Sequence, residues 1–291
     1  LINSIRPYQW SKNLLLFIPF LAGPETLTFD HFIYILLAFI SFSLLASTIY
    51  LANDLLDIEN DRIHPVKTNR PIARGTLSIK TALVAIPLFF LLSISVAAFL
   101  PIDFLFVMLL YFFITLAYSF YLKAKAMIDV FTLSILYTLR ILAGTTLVDA
   151  APSFWLFIFS VTLFLSLALM KRYSEILNSK KSIYIVKGRG YNEKDLWSIL
   201  TIGVASAYSS VLLLALYFST PEIQLRYEMP HYLWGSKLMF MFWITRIWFL
   251  ANRKEVDEDP INFTLKDKGS LFLISIAAIF FVQASVGYSF E

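Results

Sequence analysis

Apolar stretches of about 20 residues recur from one end of this chain to the other, and they restrict its possible folds more than any other feature. We mark nine, over 13–23, 31–52, 78–99, 103–122, 127–147, 153–171, 196–219, 234–251 and 270–289. Apart from the first, which is short and suits a tilted or partly spanning helix, each can cross a hydrocarbon core of about 30 Å. Lipid offers no hydrogen bonds, so a spanning segment must satisfy its own backbone, and a helix does so. Composition agrees: 58% of residues are hydrophobic and 15% are charged, against about 25% charged in soluble domains. Pro101, Pro152 and Pro221 fall in the joins, where a helix cannot continue. The chain has no cysteine, which removes disulfides, thiolate nucleophiles and thiolate metal sites. The expected fold is therefore an all-α polytopic membrane protein of nine transmembrane helices, forming a single domain over 1–291.

Basic residues orient these segments. With the N-terminus in the cytoplasm, only Arg226 and Lys237 of the 24 lysines and arginines fall on the far side. Arg140 and Arg246 lie within segments, and the other twenty face the cytoplasm. Arg6 and Lys12 ahead of "LLLFIPFLAG" have the look of a signal peptide, but Pro24 disfavours cleavage, and we read a retained first helix.

The same topology puts "NDLLDIENDRIHPVKTNRPIARG", residues 53–75, on the cytoplasmic face. Asp54, Asp57 and Asp61, at offsets of three and four, share one stripe of a helix running on from the second segment until "HP" stops it. Like charges so close repel. Two readings stand: a solvated acidic helix end, or ligands for a hard divalent cation such as Mg²⁺, which needs only one or two carboxylates beside substrate phosphates. Glu59 is off the stripe and reads as solvated. Lys67, Arg70 and Arg74 follow in a loop stiffened by Pro65 and Pro71. They suit either phosphate oxygens or lipid headgroups. His64 reads as a structural turn residue rather than a base.

Three further groups carry charge near or in the hydrocarbon. "ALMKRYSEI" places Lys171 and Arg172 within a turn of Glu175, open both to functional use and to snorkelling. Arg140, mid-segment and close to one stripe with Asp129, should face the interior, as half of an ion pair or as an anion ligand. "RPYQWSKN" adds Arg6, Lys12 and Asn13 near the cytoplasmic interface. The segment "NRKEVDEDPINFTLKDKG", 252–269, reads as a solvated loop.

Taken together, "RPYQWSKNLLLFIPFLAG", "NDLLDIENDRIHPVKTNRPIARG", "DVFTLSILYTLRILAG" and "KRYSEI" resemble the UbiA superfamily of membrane prenyltransferases, and within it the decaprenyl-phosphate phosphoribosyltransferase branch. The resemblance implies a nine-helix UbiA-like bundle in a bacterial inner membrane, with a Mg²⁺–diphosphate site on the cytoplasmic side. It implies Asn53, Asp54, Asp57 and Asp61 as metal ligands, the three aspartates being catalytic. It further implies Lys12, Asn13, Lys67, Arg70, Arg74, Tyr118, Lys123, Arg140, Lys171, Arg172 and Glu175 as substrate-binding. Aromatic prenyltransferases of the superfamily carry a second D-x-x-x-D motif where this chain has Lys171 through Glu175. That departure suits phosphoribosyl diphosphate as donor and a polyprenyl phosphate as acceptor, with no nucleic acid involved. An aromatic-acceptor prenyltransferase of the quinone or haem type is the alternative. An anion transporter comes behind both, since the charges crowd one face and no inverted repeat is visible.

Overall fold

A computed structural model describes residues 2–21, 28–63, 67–148, 153–179, 190–256 and 259–286. His64, Pro65, Pro24, Pro152, Lys180, Lys181, Lys187 and Arg189 lie outside the described residues. Among the described residues the chain is all helix, with no strand. The main helices are α1 (Phe29–Leu56), α2 (Ile58–Ile63), α3 (Ile79–Ala97), α4 (Ile102–Phe120), α5 (Ile128–Thr145), α6 (Phe154–Ser179), α7 (Leu196–Phe218), α8 (Leu233–Asn252) and α9 (Lys268–Val286). Seven of these, α1, α3, α4, α5, α6, α7 and α9, are long and apolar enough to cross a membrane. The chain is an integral membrane protein.

Two expected spans differ. Residues Pro7–Phe17 form a 3₁₀ helix, followed by one α turn over Ile18–Leu21. The first apolar segment thus begins with three residues per turn, over 13–17, and Arg6, in the left-handed region at φ 51°, precedes the 3₁₀ helix. Helix α8 has spanning length, but Lys237, Arg246 and three tryptophans lower its apolar character. The expected solvated loop at 252–269 contains a short helix, Pro260–Thr264, capped by Asp259, whose Oδ1 accepts from the backbone N–H of Ile261 and Asn262.

Local signals explain several starts. Thr28 caps α1 in a reciprocal box with His31. The Ser78 hydroxyl accepts from the Thr81 N–H at 3.1 Å to cap α3, and Pro101 precedes α4.

The described residues cluster into two compact units, Leu1–Tyr121 with Leu139–Ala151, and Leu122–Thr138 with Pro152–Glu291. Unit 1 is organised around α1. Ser41 and Ser93 donate to each other's backbone carbonyls at 2.9 and 2.8 Å, so α1 and α3 approach closely through small polar residues. Phe42 packs against Phe104 and Tyr111 of α4 at ring distances of 5.7 and 5.2 Å. Gly144 touches the N-terminal segment so closely that a Cβ would meet the Leu16 carbonyl oxygen at 2.2 Å.

Unit 2 has its own junction. Ser166 of α6 donates to the Gly203 carbonyl of α7 and accepts from the Trp248 indole of α8, both at 2.9 Å. A Cβ on Gly203 would strike the Trp248 ring at 2.4 Å, so the tryptophan needs glycine there. At the far end of α8, Arg246 holds Asp267 in a forked ion pair at 2.5 and 3.2 Å, closing the turn into α9.

Candidate functional site

In unit 1 the acidic stripe forms with a break in it. The long helix stops at Leu56, Asp57 takes a non-helical φ of −92° and ψ of 10°, and α2 begins at Ile58. This corrects the expectation of one helix running to Asp61. Backbone bonds from the Asp57 N–H to the Asn53 carbonyl (2.9 Å) and from the Asp61 N–H to the Asp57 carbonyl (2.8 Å) carry the turn across the break. Asp54 and Asp61 consequently both point inward and are 1% exposed. Asp57 is half-buried and Glu59 exposed.

Two arginines close on those buried acids. Arg6 donates to Asp54 Oδ1 at 2.5 Å. Arg70 lies 3.1 Å from the same oxygen and donates to Asp61 Oδ2 at 2.7 Å, bridging α1 to α2. The second oxygen of Asp54, Oδ2, is buried without a hydrogen-bond partner. A buried carboxylate oxygen left bare is costly, and its two lone pairs remain for a further ligand.

Among the described residues no group of three or more His, Cys, Asp or Glu side chains is gathered closely enough to cage a metal by itself. Arg70 bridges Asp54 and Asp61, so their carboxylates are held together through its guanidinium. The donor chemistry still fits Mg²⁺. It is all oxygen, with a bare buried Asp54 Oδ2, and Mg²⁺ takes one or two carboxylates alongside substrate oxygens. Lys67 and Arg74 are exposed on the loop beyond α2. That loop is pinned by Ile72 and Leu77, which pack with Leu51, Ala82 and Ala85.

Above the break, the N-terminal segment is stitched to α1. Trp10 donates its indole N–H to Ser47 Oγ at 3.2 Å, and Ser47 donates to the Ile5 carbonyl at 3.1 Å. Asn13 donates to Ser43 at 3.1 Å and accepts from Arg140 Nε at 3.1 Å. Arg140 also donates to the Tyr111 hydroxyl at 2.7 Å and stacks on that ring. Arg140 is buried as expected, with Asn13 and Tyr111 among its partners. Lys12 and Tyr118, both half-buried, also belong to unit 1.

Unit 2 holds the second charged cluster. Arg172, fully buried, donates from Nε to Asp129 Oδ2 at 2.6 Å and from Nη1 to Glu175 Oε2 at 2.5 Å. Tyr191 donates to the other Asp129 oxygen at 2.5 Å and accepts from the Met127 backbone N–H at 2.7 Å. Burial, reinforced by the hydrogen bond to Asp129, pushes the Tyr191 phenol well up, so it remains a donor at neutral pH. Lys171, Glu175 and Lys123 are half-buried in the same unit.

Sequence reasoning did not assign Arg6, Tyr111, Asp129 or Tyr191 to a site. Their partners lie 48, 29, 43 and 62 residues away along the chain. The one available signal was the cost of a lone Asp129 at the start of an apolar segment.

Comparison with known proteins agrees with this architecture. The model of the UbiA prenyltransferase family matches residues 14–276. An uncharacterized protein, y4nM, of Sinorhizobium fredii is 38% identical over 97% of this chain and 55% of its own length. Nodulation protein NoeC of Azorhizobium caulinodans is 32% identical over 94% of this chain and 89% of its own. Decaprenyl-phosphate phosphoribosyltransferase of Mycolicibacterium smegmatis is 36% identical over 60% of this chain and 57% of its own. The chain thus spans little more than half the length of two of these relatives. In fold it matches a UbiA homologue from Archaeoglobus fulgidus bound to GPP and Mg²⁺, at a TM-score of 0.69, 19% identity and 97% and 96% coverage of the two chains. The chain belongs to the UbiA prenyltransferase family.

Proposed function

We propose that this enzyme transfers the 5-phosphoribosyl group of phosphoribosyl diphosphate to a polyprenyl phosphate of decaprenyl type and releases diphosphate. The observation that carries the reaction type is the buried, unpartnered oxygen of Asp54 beside Arg6 and Arg70, an acid that invites a cation next to bases that suit phosphate. The choice of donor and acceptor is supported by the partial relatives named decaprenyl-phosphate phosphoribosyltransferase. It is supported too by the segment Lys171–Glu175, which opens on Lys171 and Arg172 where a second D-x-x-x-D motif would serve a prenyl diphosphate.

Asp54 and Asp61, with Asn53 and Asp57 in the same turns, would hold Mg²⁺, which when bound supplies positive charge to the departing diphosphate. Lys67, Arg70 and Arg74 contribute further cations to the leaving group, and preorganised charge of this kind is commonly the largest catalytic term. The C1–O bond to the diphosphate breaks and its electron pair leaves with the diphosphate. A lipid phosphate oxygen then forms the new bond to C1 from the opposite face. No base is required, because the attacking phosphate is already anionic. Lys12 and Asn13 with Arg140 in unit 1, and Lys123 and Lys171 in unit 2, are the groups put forward for the remaining phosphates. Tyr118 joins them as a substrate-binding residue. Arg172 and Glu175 hold one another, so their contribution is to position Lys171 and the end of α6.

A prenyl diphosphate donor with an aromatic acceptor is the second reading, favoured by fold neighbours bound to GPP and to DMAPP. Membranes containing the protein, given ribose-labelled phosphoribosyl diphosphate, Mg²⁺ and polyprenyl phosphate, should move label into the lipid fraction. Label that stays in free ribose phosphate, together with prenyl transfer to an aromatic acid, would overturn the proposal in favour of the second reading.

A further inference from the structure

We propose that Arg6 is the resident counter-ion of Asp54 and exchanges that carboxylate for the diphosphate when a divalent cation binds. The inference rests on the reading of Asp54 as a metal ligand and adds a role for a residue outside the acidic motif and its basic loop. Asp54 is 1% exposed, so its charge needs a partner at all times. Arg6 supplies one at 2.5 Å, and its side chain is 18% exposed, far more open than the acid it holds. It can therefore leave toward solvent or a ligand without the carboxylate moving.

The backbone is built for such a move. Arg6 sits alone at φ 51° and ψ 63°, in the left-handed region, as the joint between the short helix Ile2–Ile5 and the 3₁₀ helix Pro7–Phe17. Both sides of the joint reach Ser47: Trp10 donates its indole N–H to the hydroxyl, and the Ile5 carbonyl lies 3.1 Å from it, sharing its proton with the Ser43 carbonyl. A change in this side chain is thus confined to Arg6 and leaves the segment in place. The Tyr50 ring, one turn before Asp54 on α1, already lies 5.2 Å from the guanidinium and offers it a second resting surface.

Electrostatics then sets two opposite signs. A guanidinium on Asp54 repels an arriving cation, so it opposes metal binding. The same guanidinium attracts diphosphate and matches its oxygens with a fork, so it favours the anion. A residue serving only the fold would move both affinities the same way when removed.

The test uses the purified full chain in lipid nanodiscs, with Mn²⁺ as probe read by the loss of its free electron-paramagnetic-resonance signal. Inorganic diphosphate is then titrated in the presence of Mn²⁺. Arg6→Gln should tighten Mn²⁺ by about three- to tenfold and weaken diphosphate by a similar factor. Arg6→Lys keeps the charge and loses the fork, so it should hold Mn²⁺ affinity within about twofold while still weakening diphosphate. Unchanged or weaker Mn²⁺ binding by Arg6→Gln would overturn the exchange. So would a loss of Mn²⁺ affinity by Arg6→Lys, the variant to rely on if the glutamine chain does not fold. Asp54→Asn separates this failure from that of the underlying reading. If it still binds Mn²⁺ as the unmodified chain does, the metal assignment itself falls, whereas loss of Mn²⁺ by Asp54→Asn with no change in Arg6→Gln sinks the exchange alone.

Discussion

The protein builds two clusters of buried carboxylates and arginines and finishes them differently. In unit 1, Asp54 keeps one oxygen bare, and its arginines are partly open, with side chains 18% and 25% exposed. In unit 2, both Asp129 oxygens are taken, one by Tyr191 and one by Arg172, and Arg172 is closed in at 2%. A carboxylate with a donor on each oxygen offers a ligand less, and the value of this network lies in holding α5, α6 and the chain at Tyr191 together. A network with a spare oxygen and partly open cations can change partners. Charge alone does not distinguish the two; the count of satisfied atoms does.

The largest break in this comparison should come from Asp54→Asn, which we expect to reduce transfer to background while the protein remains folded. Substrate turnover and a melting curve on the same preparation check both halves. The reverse pattern is expected of Arg172→Met. Leaving Asp129 buried without its cation should destabilise unit 2 by about 3–5 kcal/mol, and pairing the change with Asp129→Asn should recover part of that loss. Thermal unfolding of the single and double variants reads the difference.

A half-buried pair supplies a third reference. The hydrogen bond from Arg246 holds the Asp267 carboxyl at about 2, below its ordinary value of 3.8. A depressed carboxylate stabilises the fold above its unfolded value and loses that contribution as pH falls through the folded one. Stability from this pair should therefore be full above about pH 4 and disappear toward pH 2. Asp267→Asn should cost about 1–2 kcal/mol at neutral pH and flatten that acid limb. Unfolding midpoints taken across this pH range would show it. The smallest effect should be that of Tyr191→Phe, about 1 kcal/mol, because Asp129 keeps Arg172 when the phenol is lost.

Much of this architecture is written locally. Runs such as 31–52 and 196–219 read directly as α1 and α7, because apolar length is all that a membrane span requires. The 3₁₀ winding of Pro7–Phe17 was not legible, since nothing in the spacing of "PYQWSKNLLLF" separates three from 3.6 residues per turn. The break at Asp57 was equally hidden: offsets of three and four keep Asp54 and Asp61 on one side whether the helix bends or not. The acidic half of the site was visible for the same reason, as a spacing. Its completion by Arg6, and the closure of Asp129 by Tyr191, depends on contacts across 48 and 62 residues that no local pattern announces.

Label transfer tests the proposed chemistry most directly. With ribose-labelled phosphoribosyl diphosphate, polyprenyl phosphate and Mg²⁺, the unmodified chain should place label in the lipid fraction and release one diphosphate per lipid formed, and Asp54→Asn should do neither. Equal labelling by Asp54→Asn, or no lipid label from the unmodified chain, would contradict it.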